Sequence, residues 1–266
     1  MANGQSQNAL SALEWHIEHG ADEALSDSPV DRTKMPDLPV REQPEQPKPA
    51  ARSNAADLIG AAEAKIEAEK LAEGCKTLEA LREAIQSFEG LSIKKTATNM
   101  VFSDGNPQAK VMLIGEAPGA DEDRQGKPFV GASGQLLDKI LGFIDLDRAA
   151  EESDKALYIS NILNWRPPGN RTPSPAEIEI SLPFIKKHIA LADPKILILC
   201  GGVSAKALLN RTDSISKMRG AFHEIDINGK TIPAIATYHP AYLLRTPSQK
   251  AKVWSDMLLL KGKIQS

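Results

Sequence analysis

Apolar residues recur along this chain in two rhythms, and the alternation between them predicts the architecture. Val111, Met112, Leu113 and Ile114 run unbroken into Gly115-Glu116-Ala117-Pro118-Gly119, the pattern of a strand buried on both faces that ends in a sharp turn. Leu136, Leu137, Ile140 and Leu141 then fall at helical spacing after the small-residue start Gly131-Ala132-Ser133-Gly134. Ala156–Asn161 predicts a second strand, Pro175–Leu191 a long amphipathic helix, and Ile196–Cys200 a third strand ending in Gly201-Gly202; a helix over Ser204–Leu209 follows. Phe222–Ile227 and Thr231–Thr237 flank Asn228-Gly229, a hairpin signal, and a last helix covers Lys250–Ile264 with Val253, Trp254, Met257 and Leu258 apolar. The succession predicts an α/β protein: a three-layer α/β/α sandwich around a central, mainly parallel four-stranded sheet, its last strand carrying an antiparallel neighbour.

The first part of the chain reads differently. Ala9–His19 is a short helix pattern stopped by Gly20, and residues 27–54 hold Pro29, Pro36, Pro39, Pro44, Pro47 and Pro49 with few large apolar residues, an extended linker. Ala55–Glu73 and Leu78–Phe88 are helical. The expected organisation is an acidic, proline-rich and largely flexible arm over 1–54, then one folded domain over 55–266, with helices at 55–88 and the α/β/α core at 89–266.

Charge follows the same division. The overall net charge is −3, but residues 1–89 carry 9 Lys+Arg against 17 Asp+Glu, or −8, while residues 90–266 carry 23 against 18, or +5. A mildly basic body is compatible with a polyanionic partner. No apolar run is long enough to span a membrane and the start shows no secretory pattern, so a cytoplasmic protein with no membrane partner is expected. Cys75 and Cys200 lie far apart and suggest neither a disulfide framework nor a four-cysteine metal site.

With the strands aligned by their C-terminal ends, the polar residues gather. The first strand delivers the 115–119 turn, the second Asn161, the third Gly201-Gly202 and the hairpin strand His239, all around the crevice where open α/β sheets place ligands. Singly, Asn161 reads as a turn former, His239 as a satisfied surface or core group and Glu116 as a helix cap. Their convergence is what points to a site.

GEAPG (115–119), the acids that follow, GKPFVG (126–131), a strand-terminal Asn before RPPGNRTP (166–173) and a late HPAYLLR (239–245) together resemble family 4 of the uracil-DNA glycosylase superfamily, from about residue 88 to the C-terminus. The resemblance implies a DNA repair enzyme of base excision that flips uracil from uracil-containing DNA and hydrolyses its N-glycosidic bond; the protein is expected to be a monomer. The uracil pocket would be formed by Gly115, Glu116, Ala117, Pro118, Gly119, Phe129, Asn161 and His239, with Phe129 as stacking platform. Asn161 would accept from uracil N3–H and donate to O4, a pattern that cytosine inverts. Neutral His239 and the turn amides would stabilise charge on O2. The GQDPYH branch activates water with an Asp whose position here is Ala117. That role therefore passes to Glu122 as first choice and Glu116 as second, and Glu122 or its neighbours would also replace the Tyr that excludes the thymine methyl, since Gly119 stands in its place. Asp121 and Asp123 read as a solvated turn.

DNA contacts are expected from Arg166, Arg171, Arg219 and Arg245, with Leu243 and Leu244 as a wedge filling the stack. One departure is sharp. Family 4 holds an iron-sulfur cluster on four cysteines, and the matching positions here are Phe88, Leu91, Trp165 and Ser181, so no cofactor and no metal site are expected; a hydrophobic plug would pin the 165–175 loop instead. PGNRTPSP stands where a covalently trapping relative carries a basic insert, which implies ordinary turnover. Three other readings stay open: a damaged-DNA-binding protein without catalysis, a glycosylase for another deaminated base, and an enzyme for a nucleotide bound at the Gly-rich turn, although GEAPG lacks the Lys and Ser/Thr of a phosphate loop.

Overall fold

The structure, a computed structural model, describes residues 55–265, and of residues 55–59 the backbone alone. The expected helix at 9–19 and linker at 27–54 lie outside the described residues. The ordered elements, in chain order, are α1 (Ala55–Gly74), α2 (Leu78–Ser87), β1 (Asp104–Gly105), β2 (Val111–Gly115), α3 (Ala120–Gln125), α4 (Ala132–Gly142) and β3 (Leu157–Asn161). There follow α5 (Pro175–Ala192), β4 (Ile196–Cys200), α6 (Gly202–Leu209), α7 (Ile215–Met218), β5 (Phe222–Ile227), β6 (Lys230–Thr237), α8 (Pro240–Arg245) and α9 (Lys250–Ile264).

One mixed sheet of six strands, ordered β1-β3-β2-β4-β6-β5, organises them. β3, β2, β4 and β6 pair in parallel, whereas β1 and β5 are antiparallel edges. The expected four-stranded sheet is therefore corrected: β1 is only two residues long and carries no apolar alternation, so nothing in the hydrophobic pattern announces it. From β2 the chain moves to β3 on one side and then to β4 on the other. The crevice at the C-terminal end of β2 is thus the switch point of the sheet.

Successive side chains of a strand point to opposite faces, and both faces of this sheet are covered. Met112 and Ile114 join one core, with Phe88, Leu91, Trp165, Phe184 and Ile189. Val111 and Leu113 join the other, with Leu137, Leu141, Val253 and Met257. This two-sided burial is why β2 and β4 are apolar without alternation, and why every residue of β3 is buried although it ends in the polar pair Ser160-Asn161. α1 packs against α5 through Ala64, Ala68 and Ala72, a stripe at i, i+4 and i+8 whose small side chains admit close approach. Ser174 caps α5 reciprocally with Glu177. No helix among the described residues is long and apolar enough to cross a membrane.

Candidate active site

The parallel register sets Gly115 beside Asn161, so the ends of β2 and β3 open onto one cavity of about 480 Å³. Its walls include the 116–119 turn, Glu122, Phe129, Asn161, Arg171, His239 and Arg245. Gly115 does not line it but makes it possible. A Cβ there would lie 2.3 Å from Asn161 Oδ1 and 2.7 Å from the Phe129 ring, so only glycine lets the amide and the ring flank the slot. The Asn161 amide has no protein partner among the described residues, although the residue is 2% exposed. It is a donor and acceptor pair held ready at the cavity wall.

His239 caps the N-terminus of α8: its Nδ1 accepts the N–H of Ala241 at 3.2 Å. Burial lowers its pKa to about 4, assisted by Arg245 and opposed by the charge of Glu122. A neutral ring whose Nδ1 accepts must carry its proton on Nε2. The imidazole therefore offers one donor, and its ring lies 5.4 Å from that of Phe129, the two planes inclined by 27°.

The two candidate carboxylates differ in their surroundings. Glu122 Oε1 accepts the N–H groups of Val130 (2.9 Å) and Gly131 (3.0 Å), and Oε2 accepts that of Gly119 (3.1 Å). Glu122 thus ties the start of α3 to the segment that follows Phe129. Of the turn amides proposed for charge stabilisation, that of Gly119 is consequently committed, and Pro118 has none. Glu116 also lines the cavity, has no partner among the described residues, and its pKa is raised by burial.

Several expectations need correction. Leu243 is fully buried in the second core and cannot be a wedge, whereas its neighbour Leu244 is 48% exposed, as helical geometry requires of adjacent positions. Arg219 is no phosphate contact: it forms a two-pronged ion pair with buried Asp256, at 3.0 and 2.6 Å, and lies over the Tyr238 ring. Asp123 is not a solvated turn residue. It is 4% exposed and accepts the N–H groups of Thr98 and Asn99. Asp121 is partly exposed and pairs with Arg124. Arg171 reaches the cavity rim while bound to Glu177 through both terminal nitrogens, and Arg166 is held by Asn170 at 2.7 Å. Ser133, Pro167, Asn170, Thr172, Ala241 and Tyr242 also line the cavity, and all but Ser133 sit inside the RPPGNRTP and HPAYLLR stretches already singled out.

The residues at the four cluster positions do not fit an iron-sulfur group. Phe88, Leu91 and Trp165 are buried in the same core, and Ser181 spends its hydroxyl on the Glu177 carbonyl at 2.8 Å. Cys75 and Cys200 belong to opposite cores. No trio of His, Cys, Asp or Glu among the described residues is grouped to hold a metal ion.

Residues 102–258 match the family model described as the uracil DNA glycosylase superfamily, a span that takes in all six strands and the residues around the cavity. A type-4 uracil-DNA glycosylase of Pyrobaculum aerophilum is 35% identical over 189 residues, covering 70% of this chain and 93% of that protein. Its namesake from Archaeoglobus fulgidus is 36% identical over 185 residues, covering 68% and 90%. The one from Thermotoga maritima is 32% identical over 177 residues, covering 66% and 87%. Since the match runs through nearly the whole of these relatives and through the strand ends that build the cavity, this chain belongs to the uracil-DNA glycosylase superfamily.

Proposed function

We propose that the protein is a monofunctional DNA repair glycosylase that receives a uracil flipped out of DNA and hydrolyses its N-glycosidic bond, leaving free uracil and an abasic site. The observation that carries the reading is the slot between Phe129 and the unpartnered Asn161 amide, opened by Gly115, in a chain related to type-4 uracil-DNA glycosylases. Uracil stacks on Phe129 and pairs with Asn161 through N3–H and O4. Cytosine would set donor against donor and acceptor against acceptor there.

As the bond from C1′ to N1 lengthens, its electron pair passes to the uracil ring and O2, and the sugar gains oxocarbenium character. The Nε2–H of His239 donates to O2, which stabilises the departing anion more than the bound substrate. Water then adds to C1′ and gives its proton to a carboxylate. Glu116 takes this role in place of Glu122: it is unpartnered, and burial makes it a better proton acceptor, whereas Glu122 already holds three backbone N–H groups. Leu244 enters the vacated stack, and Arg245 with Arg166 contacts phosphate. The enzyme works without an iron-sulfur cluster, because the four positions offer no thiolate.

The test is a single-turnover incubation with a uracil-containing oligonucleotide, with free base followed by chromatography. Release of uracil supports the reading. Tight binding without release would instead identify a damage-binding protein, the alternative that Ala117 motivates.

A further inference from the structure

The backbone of Phe129 is a strained point of the cavity wall. Its φ is +53°, a left-handed conformation that an aromatic residue adopts only when its surroundings hold it there. Glu122 holds the segment from its C-terminal side, through the N–H groups of Val130 and Gly131. The first turn of α4 closes over it so tightly that a Cβ on Gly134 would lie 1.9 Å from the Phe129 carbonyl oxygen. The remaining grip comes from a residue that no motif singles out, in the loop after α4.

Arg148 donates from Nη1 to the carbonyl of Pro128 at 2.9 Å and from Nη2 to the carbonyl of Phe129 at 3.0 Å. Its other donors go to Asp138, from Nε at 3.0 Å and Nη2 at 2.7 Å, and to Asp104, from Nη1 at 3.1 Å. A guanidinium has five N–H donors, and all five are committed. The side chain is 15% exposed, so the group is neither mobile nor free for a phosphate. Asp138 comes from α4 and Asp104 from the edge strand β1, so the clamp ties the platform to two separate elements. A lysine keeps the charge but lacks the planar fork that reaches two consecutive carbonyls.

We infer that Arg148 is a positioning residue for the base-stacking platform, holding Phe129 in its strained conformation so that the ring faces Asn161 and His239 across the slot. This rests on the glycosylase reading, and it adds a specific consequence. Loss of the fork lets Pro128-Phe129 relax toward ordinary backbone, and the ring leaves the place that uracil stacking requires.

The test is a double-mutant cycle on single-turnover excision, using wild type, Arg148→Lys, Phe129→Ala and the double mutant, with hydrogen exchange of the Val130 and Gly131 amides measured in parallel. Arg148→Lys is expected to slow excision about tenfold to a hundredfold, the scale of an ångström-level misplacement, and to speed exchange at both amides. In the Phe129→Ala background it should cost almost nothing further, because the ring through which it acts is gone. Additive losses would show a general structural role and overturn the inference, as would unchanged excision and exchange. Should Arg148→Lys not fold, Asp138→Asn, which loosens the guanidinium without removing it, carries the same cycle with the same two outcomes. Absence of excision by the wild type would defeat the glycosylase reading alone, while the exchange arm would still decide the role of Arg148.

Discussion

Replacing Trp165 tests whether packing has taken over the place of the cluster. The side chain is 4% exposed, shares a core with Phe88 and Leu91, and lies under Lys94, whose ammonium is 5.9 Å from the ring centroid. Lys94 also donates to the Phe88 carbonyl at 3.2 Å, which ties the helix side of the plug to the loop side. Truncating such a residue to Ala costs about 3–5 kcal/mol, or about 6–20 °C in Tm for a domain of this size. Trp165→Phe should behave differently, because Trp165 Nε1 is buried with no hydrogen-bond partner among the described residues. Removing that orphaned donor relieves a desolvation cost of about 1–3 kcal/mol, which offsets much of the lost volume and leaves a net cost under about 2 kcal/mol. Trp165 also precedes the 166–172 loop that supplies Pro167, Asn170, Arg171 and Thr172 to the cavity, so Trp165→Ala should lose excision at temperatures where it remains folded. Thermal denaturation read beside single-turnover excision makes the comparison. An Ala variant as stable as wild type, or a Phe variant as damaged as Ala, would refute the packing argument.

Asn161→Ala should lose about 2–4 kcal/mol of transition-state stabilisation with Tm almost unchanged, because its amide holds no protein partner; a large fall in Tm would show a structural role instead. Glu116→Gln should slow excision while DNA binding in a gel-shift assay persists, and Glu122→Gln should also lower Tm, since one of its acceptor oxygens becomes a donor facing backbone N–H groups. Burial holds the pKa of His239 near 4 and that of His188, an α5 residue stacked on the Phe102 ring with its Nε2 2.8 Å from the Tyr158 hydroxyl, near 3, below the ordinary 6.5, so the unfolded chain binds protons that the folded one refuses. Their contribution to stability is full above pH 6.5 and declines as the pH falls toward those values; an NMR titration placing the His239 ring near 6.5 would contradict this. Deleting residues 1–54 should leave a folded, active body that binds DNA slightly better at low salt, as acidic residues are removed; an insoluble product would show that the division at residue 54 is wrong.

What could be read from the sequence follows from where its signals lie. Runs such as Val111–Ile114 and Ile196–Cys200 are buried on both faces, so their apolar continuity identifies them as inner strands. Asn161 and His239 emerge because each stands at, or two residues past, the C-terminal end of a core strand, where parallel sheets place their ligands. The edge strand β1 rests on two residues of backbone pairing with β3 and has no pattern of its own. Leu243 and Leu244 are chemically alike, and only the helical course of α8 sends one into the core and the other to solvent. Arg219 and Asp123 look like surface charges until tertiary contact supplies Asp256 to one and the Thr98-Asn99 amides to the other. Arg148 was illegible for the same reason: its partners come from β1, α4 and the Pro128-Phe129 segment, which only the fold brings together.

Everything proposed for the cavity turns on hydrolysis of the uracil N-glycosidic bond. Its most direct measurement uses labelled oligonucleotides, identical except for uracil, cytosine or thymine at one position, incubated with the protein and resolved with and without hot alkali. Strand scission is expected at the uracil position only, and only after alkali, because a monofunctional glycosylase leaves the abasic strand intact. Scission without alkali, equal cleavage at cytosine, or no cleavage at uracil by a folded protein would contradict it.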